Sequence, residues 1–304
     1  MPLGGNVLLR AQFADLFVDR LPYLDEILFE TYDAPSLTYP QVFNVRDSSR
    51  AYEEMTEITG LGTFTTKSEG DVIDYDKVME GFSKRFQHTT YAKGVSISME
   101  AAADDIDGAI TNMAPPLARS CRVSVETTIW NVINGGFATT TTPDGAYLFS
   151  NSHLLRGGGT MDNLISGDLS IANLESAINM YDTMVDDRGL PIELSPTQLI
   201  FPTNLRWLVY EILKSDLRSD TANNATNAFK QISLTPVMSK YLTGDDDWFL
   251  FSEPSQHRVI VYWRMEPVTD HTIDFDTGNM KSKMTYRLST GAGGWRGTVG
   301  GQGA

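Results

Sequence analysis

Residues 99–136 read Met99-Glu-Ala-Ala-Ala-Asp-Asp-Ile106-Asp-Gly-Ala-Ile110-Thr-Asn-Met113-Ala-Pro115-Pro116-Leu117-Ala-Arg-Ser-Cys121-Arg-Val-Ser-Val125-Glu-Thr-Thr-Ile129-Trp-Asn-Val132-Ile-Asn-Gly135-Gly136. Ile106, Ile110, Met113, Leu117, Cys121, Val125, Ile129 and Val132 recur at steps of three and four, the spacing by which a helix turns one apolar stripe toward a core. Pro115-Pro116 lies inside the stripe. Proline has no N–H and disfavours helical geometry in the residue before it. The reading is therefore a short helix to about Met113, a break, and a long helix opened by Pro116 and stopped by Gly135-Gly136. At about 19 residues this second piece would be roughly 28 Å long, enough to cross a domain, and it serves as the spine of the chain.

Toward the N-terminus, Gly81 to Ile97 alternates Phe82, Lys84, Phe86 and His88 with Ser83, Arg85 and Gln87, a strand leading into the spine with Ser98 as N-cap. From Arg46 to about Val78 the pattern is Thr-rich and charged, with Gly60-Leu-Gly62 and Glu69-Gly70 between β-branched runs. It predicts a long hairpin with few large apolar side chains on either face. A two-stranded hairpin is marginal alone in water, so this one needs neighbours from its own chain or from others. Residues 6–21 carry Leu9, Phe13, Leu16, Phe17 and Arg20 at helical spacing, followed by a stretch to Val45 that Pro22, Pro35 and Pro40 mark as extended. With little local core, the face of that helix is expected to pack on something distant or on another subunit.

Past Gly136 the chain is rich in loops: Thr139–Thr142, Pro143-Asp-Gly145, Tyr147–His153 and a mobile Arg156–Gly159. Ser170 then caps a helix with Ile171, Leu174, Ile178, Tyr181 and Val185 on one stripe, ended by Gly189. Thr197–Phe201 reads as a short strand, and Pro202-Thr203 opens a helix with Leu205, Leu208, Ile212 and Leu213 inward. Trp248–Phe251, Arg258–Trp263, Thr272–Phe275 and Lys283–Arg287 read as strands. The glycine-rich end, Gly291-Ala-Gly-Gly294 and Gly300-Gly-Gln-Gly303, is expected to be mobile unless neighbouring chains hold it. No repeat of period 20–50 is visible. The class is α+β, with a globular lobe inserted between the spine and the last strands.

Length and composition set limits on function. A chain of 304 residues with 41% hydrophobic residues can bury one large or two ordinary cores. Lys plus Arg number 24 against 39 Asp plus Glu, a net charge of −15, so the molecule as a whole repels phosphate backbones and anionic lipid. A single cysteine, Cys121, excludes an internal disulfide and any cysteine metal cluster, and its place on the spine makes it a core residue. No standard signal peptide opens the chain, and no stretch is apolar for long enough to span a membrane; the sequon Asn224-Ala-Thr226 is idle without a secretory route.

Chemistry is not legible either. His88, His153, His257 and His271 form no H-x-H or H-x-x-x-H pair and read as surface or satisfied structural histidines. His153, in Ser150-Asn-Ser-His153, lacks a G-x-S-x-G elbow and a partner acid. Gly157-Gly-Gly159 lacks the Lys-Ser/Thr of a phosphate loop. Asp245-Asp-Asp247 lacks the spaced ligands of a calcium loop and reads as a solvated turn. Asp104, Asp105 and Asp107 have no matching carboxylate and read as a solvent or interface face. No cofactor and no metal is expected.

The order of parts, an N-terminal arm, a polar hairpin, a strand into a spine helix, a loop-rich insertion and returning strands, resembles the HK97-fold major capsid proteins of tailed bacteriophages. Tyr147-Leu-Phe-Ser-Asn-Ser-His153 is similar to the segment after the spine in Mu-like and related head subunits. Pro196–Thr203 resembles the family's strand–Pro–helix element, and Asn223–Phe229, Leu234–Met238 and Asp247–Phe251 its loop-strand run. Met284–Arg287 and Gly294-Trp-Arg-Gly297 match its return strand and tail. The resemblance implies an arm over 1–45, an extended loop (E-loop) over 46–80, a peripheral domain over 81–136 with 256–304, and an axial domain over 137–255. It implies a structural, non-enzymatic major head protein of the virion, assembled in the host cytoplasm into hexamers and pentamers of an icosahedral shell around double-stranded DNA. That DNA is held without sequence-specific binding, and no membrane is involved.

The partners so implied are further copies of the chain, a separate scaffolding protein, a portal protein and decoration proteins. Assembly contacts would fall at Phe13 and Phe17 of the arm, at Thr66, Lys67, Ser68 and Glu69 of the hairpin tip, and at Trp295 and Arg296 of the tail. Covalent joining of subunits is not expected, because neither Lys67 nor Lys77 has a context tied to that chemistry. Trimming is not expected either, since 45 residues before the hairpin are too few for a scaffolding segment plus an arm. Two other readings stand beside this one: an encapsulin-like compartment enclosing cargo proteins, and a hydrolase using His153 or an acidic cluster.

Overall fold

A computed structural model describes residues 24–33, 36–78, 80–98, 100, 109–215 and 228–303. The expected 6–21 helix with Phe13 and Phe17, and the start of the helix that Ser98 was to cap, lie outside the described residues. The chain divides into two compact units, one of residues 1–37, 88–127 and 263–288, the other of 38–87, 128–262 and 289–304.

In the first unit the backbone is helical at 24–33 (α1), where an extended stretch is expected from the prolines. Leu24, Leu28 and Tyr32, one turn apart each, are buried, so an apolar stripe holds this segment as a helix. Strand β4 (Thr89–Ile97) pairs antiparallel with the strand Met280–Ala292 (β12), from Met280 opposite Ile97 to Leu288 opposite Thr89. Tyr91 stacks on Tyr286 at 5.0 Å, and the Tyr286 hydroxyl shares a 2.7 Å hydrogen bond with Ser124 of the spine. These contacts fix helix to sheet through paired aromatic and hydroxyl groups.

After a single turn, α2 (Tyr39–Val42), the spine itself is one helix, α3 (Ala109–Asn134), with Pro115 and Pro116 inside it and no break. An interior proline costs about 3 kcal/mol or more. Against that, the stripe buries Leu117, Cys121, Val125, Ile129 and Val132, with Ala118, Trp130 and Ile133 beside them. Each large apolar side chain contributes about 1.5–3 kcal/mol, so burial outweighs the local penalty. Burial also pushes the Cys121 thiol up to about 11, as an inert core residue.

The second unit carries a short pair, β5 (His153–Leu154) with β6 (Thr160–Met161), and is built on a five-stranded sheet in the order β7, β13, β10, β8, β9, comprising Leu164–Ser166, Thr298–Gln302, Trp248–Phe251, Gln198–Pro202 and Thr235–Ser239. β8 and β9 are parallel, as are β7 and β13, while β10 is antiparallel to both its neighbours. Central β10 is buried on both faces. Trp248 and Leu250 point into a core with Tyr181, Leu199, Phe201 and Val299, while Phe249 and Phe251 join Phe149 at 5.1 and 6.4 Å. Ser170 caps helix α4 (Ile171–Asp182), its hydroxyl accepting from the Asn173 N–H. That helix ends at Asp182, about one turn before Val185 and two before Gly189, where the stripe and its stop were expected. Helix α5 (Arg206–Lys214) buries Ile212 and Leu213 as expected, but buries Val209 in place of Leu208, which is exposed.

Three further expectations change. Arg258–Trp263 and Thr272–Phe275 are not separate strands: β11 runs unbroken over Val259–Ile273, next to β12 in a four-stranded sheet of order β1 (Asn44–Asp47), β11, β12, β4. The stretch 81–97 is two strands, β3 (Glu80–Gln87) and β4, and β3 pairs with β2 (Tyr52–Ile58), so the hairpin reaches Gln87. The glycine-rich end is a buried central strand, β13. An added Cβ at Gly300 would lie 2.5 Å from the Phe149 ring, and at Gly301 2.0 Å from that of Trp248; glycine is there because rings cover the backbone. The subunit's own chain holds this end. Among the described residues, no helix is long and apolar enough to cross a membrane, and no group of His, Cys, Asp and Glu is placed to hold a metal ion.

Candidate functional site

The stalk of the hairpin is ordinary sheet. Tyr52 lies opposite Gln87 and Thr56 opposite Ser83, and Phe86 packs with Met55, Ile260 and Tyr262. The register shifts between Thr56 and Ile58, turning Glu57 into the protein. Beyond that shift the ladder stops: residues 59–78 contain no strand. Phe64 is fully exposed, Val72 and Tyr75 are more than four-fifths exposed, and Leu61, Ile73 and Val78 are exposed as well. Thr66, Lys67, Ser68 and Glu69 form the exposed tip. So many solvated apolar side chains on one unpaired segment mark a surface for a partner.

The root of the hairpin is charged. Glu57 Oε1 accepts from Arg258 Nη1 at 2.9 Å and lies 4.0 Å from Arg296 Nη1. Arg296 donates to Asp187 Oδ1 and to the Val185 carbonyl, both at 3.0 Å. Burial pushes the Glu57 carboxyl above its usual value, against the pull of Arg258 and Arg296. Further out, Arg188 Nη2 pairs with Asp76 at 3.2 Å, and Arg156 donates to the Gly81 carbonyl at 3.2 Å while lying over the Phe82 ring. Hydrogen bonds from the Gly62 and Lys77 N–H groups hold the Asp76 carboxyl below the usual range. A cavity of about 220 Å³ sits among Glu57, Ile58, Gly60, Asp186, Ile192 and Arg258.

Of Trp295 and Arg296, expected at an assembly contact, Trp295 is buried inside the subunit and Arg296 is part-buried against it. Trp295 is 3% exposed and stacks on His153 at 4.5 Å, and the Arg296 guanidinium is used by Asp187, Val185 and Glu57. His153 does have a partner acid that sequence spacing did not reveal, Asp144 at 2.8 Å, with Asn163 at 3.1 Å on its other nitrogen. Burial raises the Asp144 carboxyl, but the hydrogen bonds from His153 and Thr142 outweigh it and leave the carboxyl below its usual value. The trio is fully enclosed: His153 and Asn163 have no exposure, and His153 is flanked by Trp295. It joins the 142–163 loops to β13 through Asn163, which donates to the Leu148 and Thr298 carbonyls. Arg188, Arg156, Asp76 and Glu57 were not singled out from sequence, because nothing local relates residues 112 apart.

A family of phage capsid proteins matches residues 81–300. The chain belongs to this phage capsid protein family. Its fold agrees with solved phage capsids. The capsid of cyanophage P-SCSP1u superposes with a TM-score of 0.60 at 13% identity, covering 88% of each chain. The mature capsid of bacteriophage PhiM1 does so at 0.59 and 10%, over 86% of this chain and 84% of that one. The procapsid of bacteriophage JBD30 does so at 0.52 and 14%, over 95% and 76%. No curated protein matches the chain. The fold of this capsid protein is therefore the α+β, HK97-like capsid fold, and the protein is a structural major capsid protein of a bacteriophage.

Proposed function

We propose that this capsid protein closes its shell through the 46–87 hairpin, each copy laying its unpaired arms on a neighbour in hexamers and pentamers. The observation that supports this is the exposure of Phe64, Val72 and Tyr75 on a segment with no ladder of its own. Such a segment reaches full order only when another surface covers it, and the area that stabilises it then stabilises the assembly. The remaining parts keep their proposed roles: arm 1–45, peripheral domain 81–136 with 256–304, and axial domain 137–255, with β3 counted with the hairpin.

The shell so formed encloses double-stranded DNA in the virion, after assembly in the host cytoplasm around a separate scaffolding protein, with a portal protein and decoration proteins as further partners. The net charge of −15 supports a lining that does not grip DNA which must slide during packaging. Its role is structural and not enzymatic, a reading supported by the enclosed position of His153. Deleting Gly60–Gly70 tests the proposal: electron microscopy should show soluble subunits or capsomers and no closed shells, with circular dichroism unchanged. Normal shells from that variant would overturn it.

A further inference from the structure

The unpaired arms of the hairpin are not left without a hold in the single subunit, and that hold comes from one loop, residues 185–190. Arg188 Nη2 donates to the Lys77 carbonyl at 2.7 Å and pairs with Asp76 Oδ1 at 3.2 Å. The second oxygen of Asp76 accepts from the Gly62 N–H at 2.8 Å, so a single carboxylate ties both arms to the loop. The loop is built to present that arginine. Asp186 Oδ1 accepts from the Arg188 and Leu190 N–H groups, each at 2.8 Å, Gly189 turns the chain at φ 81°, and Val185 bridges Pro191. At the root, the neighbouring Asp187 holds Arg296 against Glu57, and its carbonyl accepts from the Gly157 N–H at 2.9 Å. Grip and root are thus joined through consecutive residues.

The outer part of this grip is weak by construction. Arg188 and Asp76 are 23% and 37% exposed, and a solvated ion pair contributes little and is screened by salt. By contrast, Arg296 and Asp187 at the root are 17% and 7% exposed. A firm root with a weak outer contact lets the arms swing while the stalk stays in place.

We infer that the 185–190 loop is a clasp that parks the hairpin on its own subunit before assembly and gives it up to a second copy of the chain. This rests on the reading of the hairpin as the assembly element. Amide hydrogen exchange over 60–78 tests it in unassembled full-length subunits of the wild type, Arg188→Ala, Asp76→Asn and the double variant. Arg188→Ala should exchange about fivefold faster there, with an unchanged melting temperature, and the double variant should be faster by less than the product of the two single effects, since the two substitutions share the Arg188–Asp76 contact. Wild-type exchange should also quicken with added salt, and that of Arg188→Ala should not. In assembled shells the wild type and Arg188→Ala should exchange alike, because the neighbour then holds the arms. Exchange in unassembled Arg188→Ala equal to that of the wild type overturns the clasp, whatever hairpin deletion does to shell formation, so the two failures are distinct. A difference that persists in shells overturns the release.

Discussion

His257 shows how one enclosed side chain makes this capsid protein sensitive to acid. Its Nε2–H donates to the Val42 carbonyl at 2.9 Å, and its Nδ1 accepts from the Val259 N–H at 3.2 Å, so the neutral ring is fully satisfied. Burial drives its pKa from 6.5 down to about 4. Below pH 6.5 the unfolded chain takes up a proton that the folded one refuses. The stability due to His257 is therefore complete above that pH and is lost as pH falls toward 4, by up to about 3 kcal/mol. Urea unfolding of unassembled subunits at pH 7 and pH 4.5 should show this loss, and His257→Gln should flatten it; equal pH slopes would refute the assignment. Gly301 makes a second residue-scale case. A methyl there would meet the Trp248 ring at 2.0 Å, so Gly301→Ala should lower stability by about 3 kcal/mol, read as a drop in melting temperature. A variant that melts with the wild type would mean that β10 and β13 can separate freely.

At the scale of elements, local rules worked where a segment meets its requirements within a few turns, and failed where the partner is remote. Ser170 and the stripe through Leu174 and Tyr181 mark α4 unaided, since cap and face both lie within the helix. The Pro115-Pro116 pair misleads, because the burial that carries α3 through it comes from packing against other segments. Pro22, Pro35 and Pro40 mislead in the opposite sense, hiding α1. For the arm, Phe13 and Phe17, four residues apart in the sequence, are expected to fill an apolar groove. Phe13→Asp with Phe17→Asp should cost about 2–4 kcal/mol per contact site and block assembly while the subunit stays folded. Circular dichroism and microscopy check this together, and loss of the subunit fold would place the arm in its own core instead.

For the whole molecule, the expected shell is held by non-covalent contacts alone. This expectation rests on the sequence context of Lys67 and Lys77, neither of which is tied to cross-linking chemistry. Shells boiled in detergent should run as one band near 33.7 kDa, and a ladder of multiples would overturn this. By itself the sequence determined the class, the spine stripe and the presence of the hairpin, because each depends on composition or on periodicity within a few residues. Only the tertiary structure decided that Gly300 and Gly301 form an interior strand under two rings, that Trp295 is buried, and that the Arg296 guanidinium is used by Asp187, Val185 and Glu57. It alone also set Arg188 against Asp76 across 112 residues. Such contacts pair groups with no relation along the chain; their energy comes from burial and charge pairing in three dimensions, which no local pattern encodes.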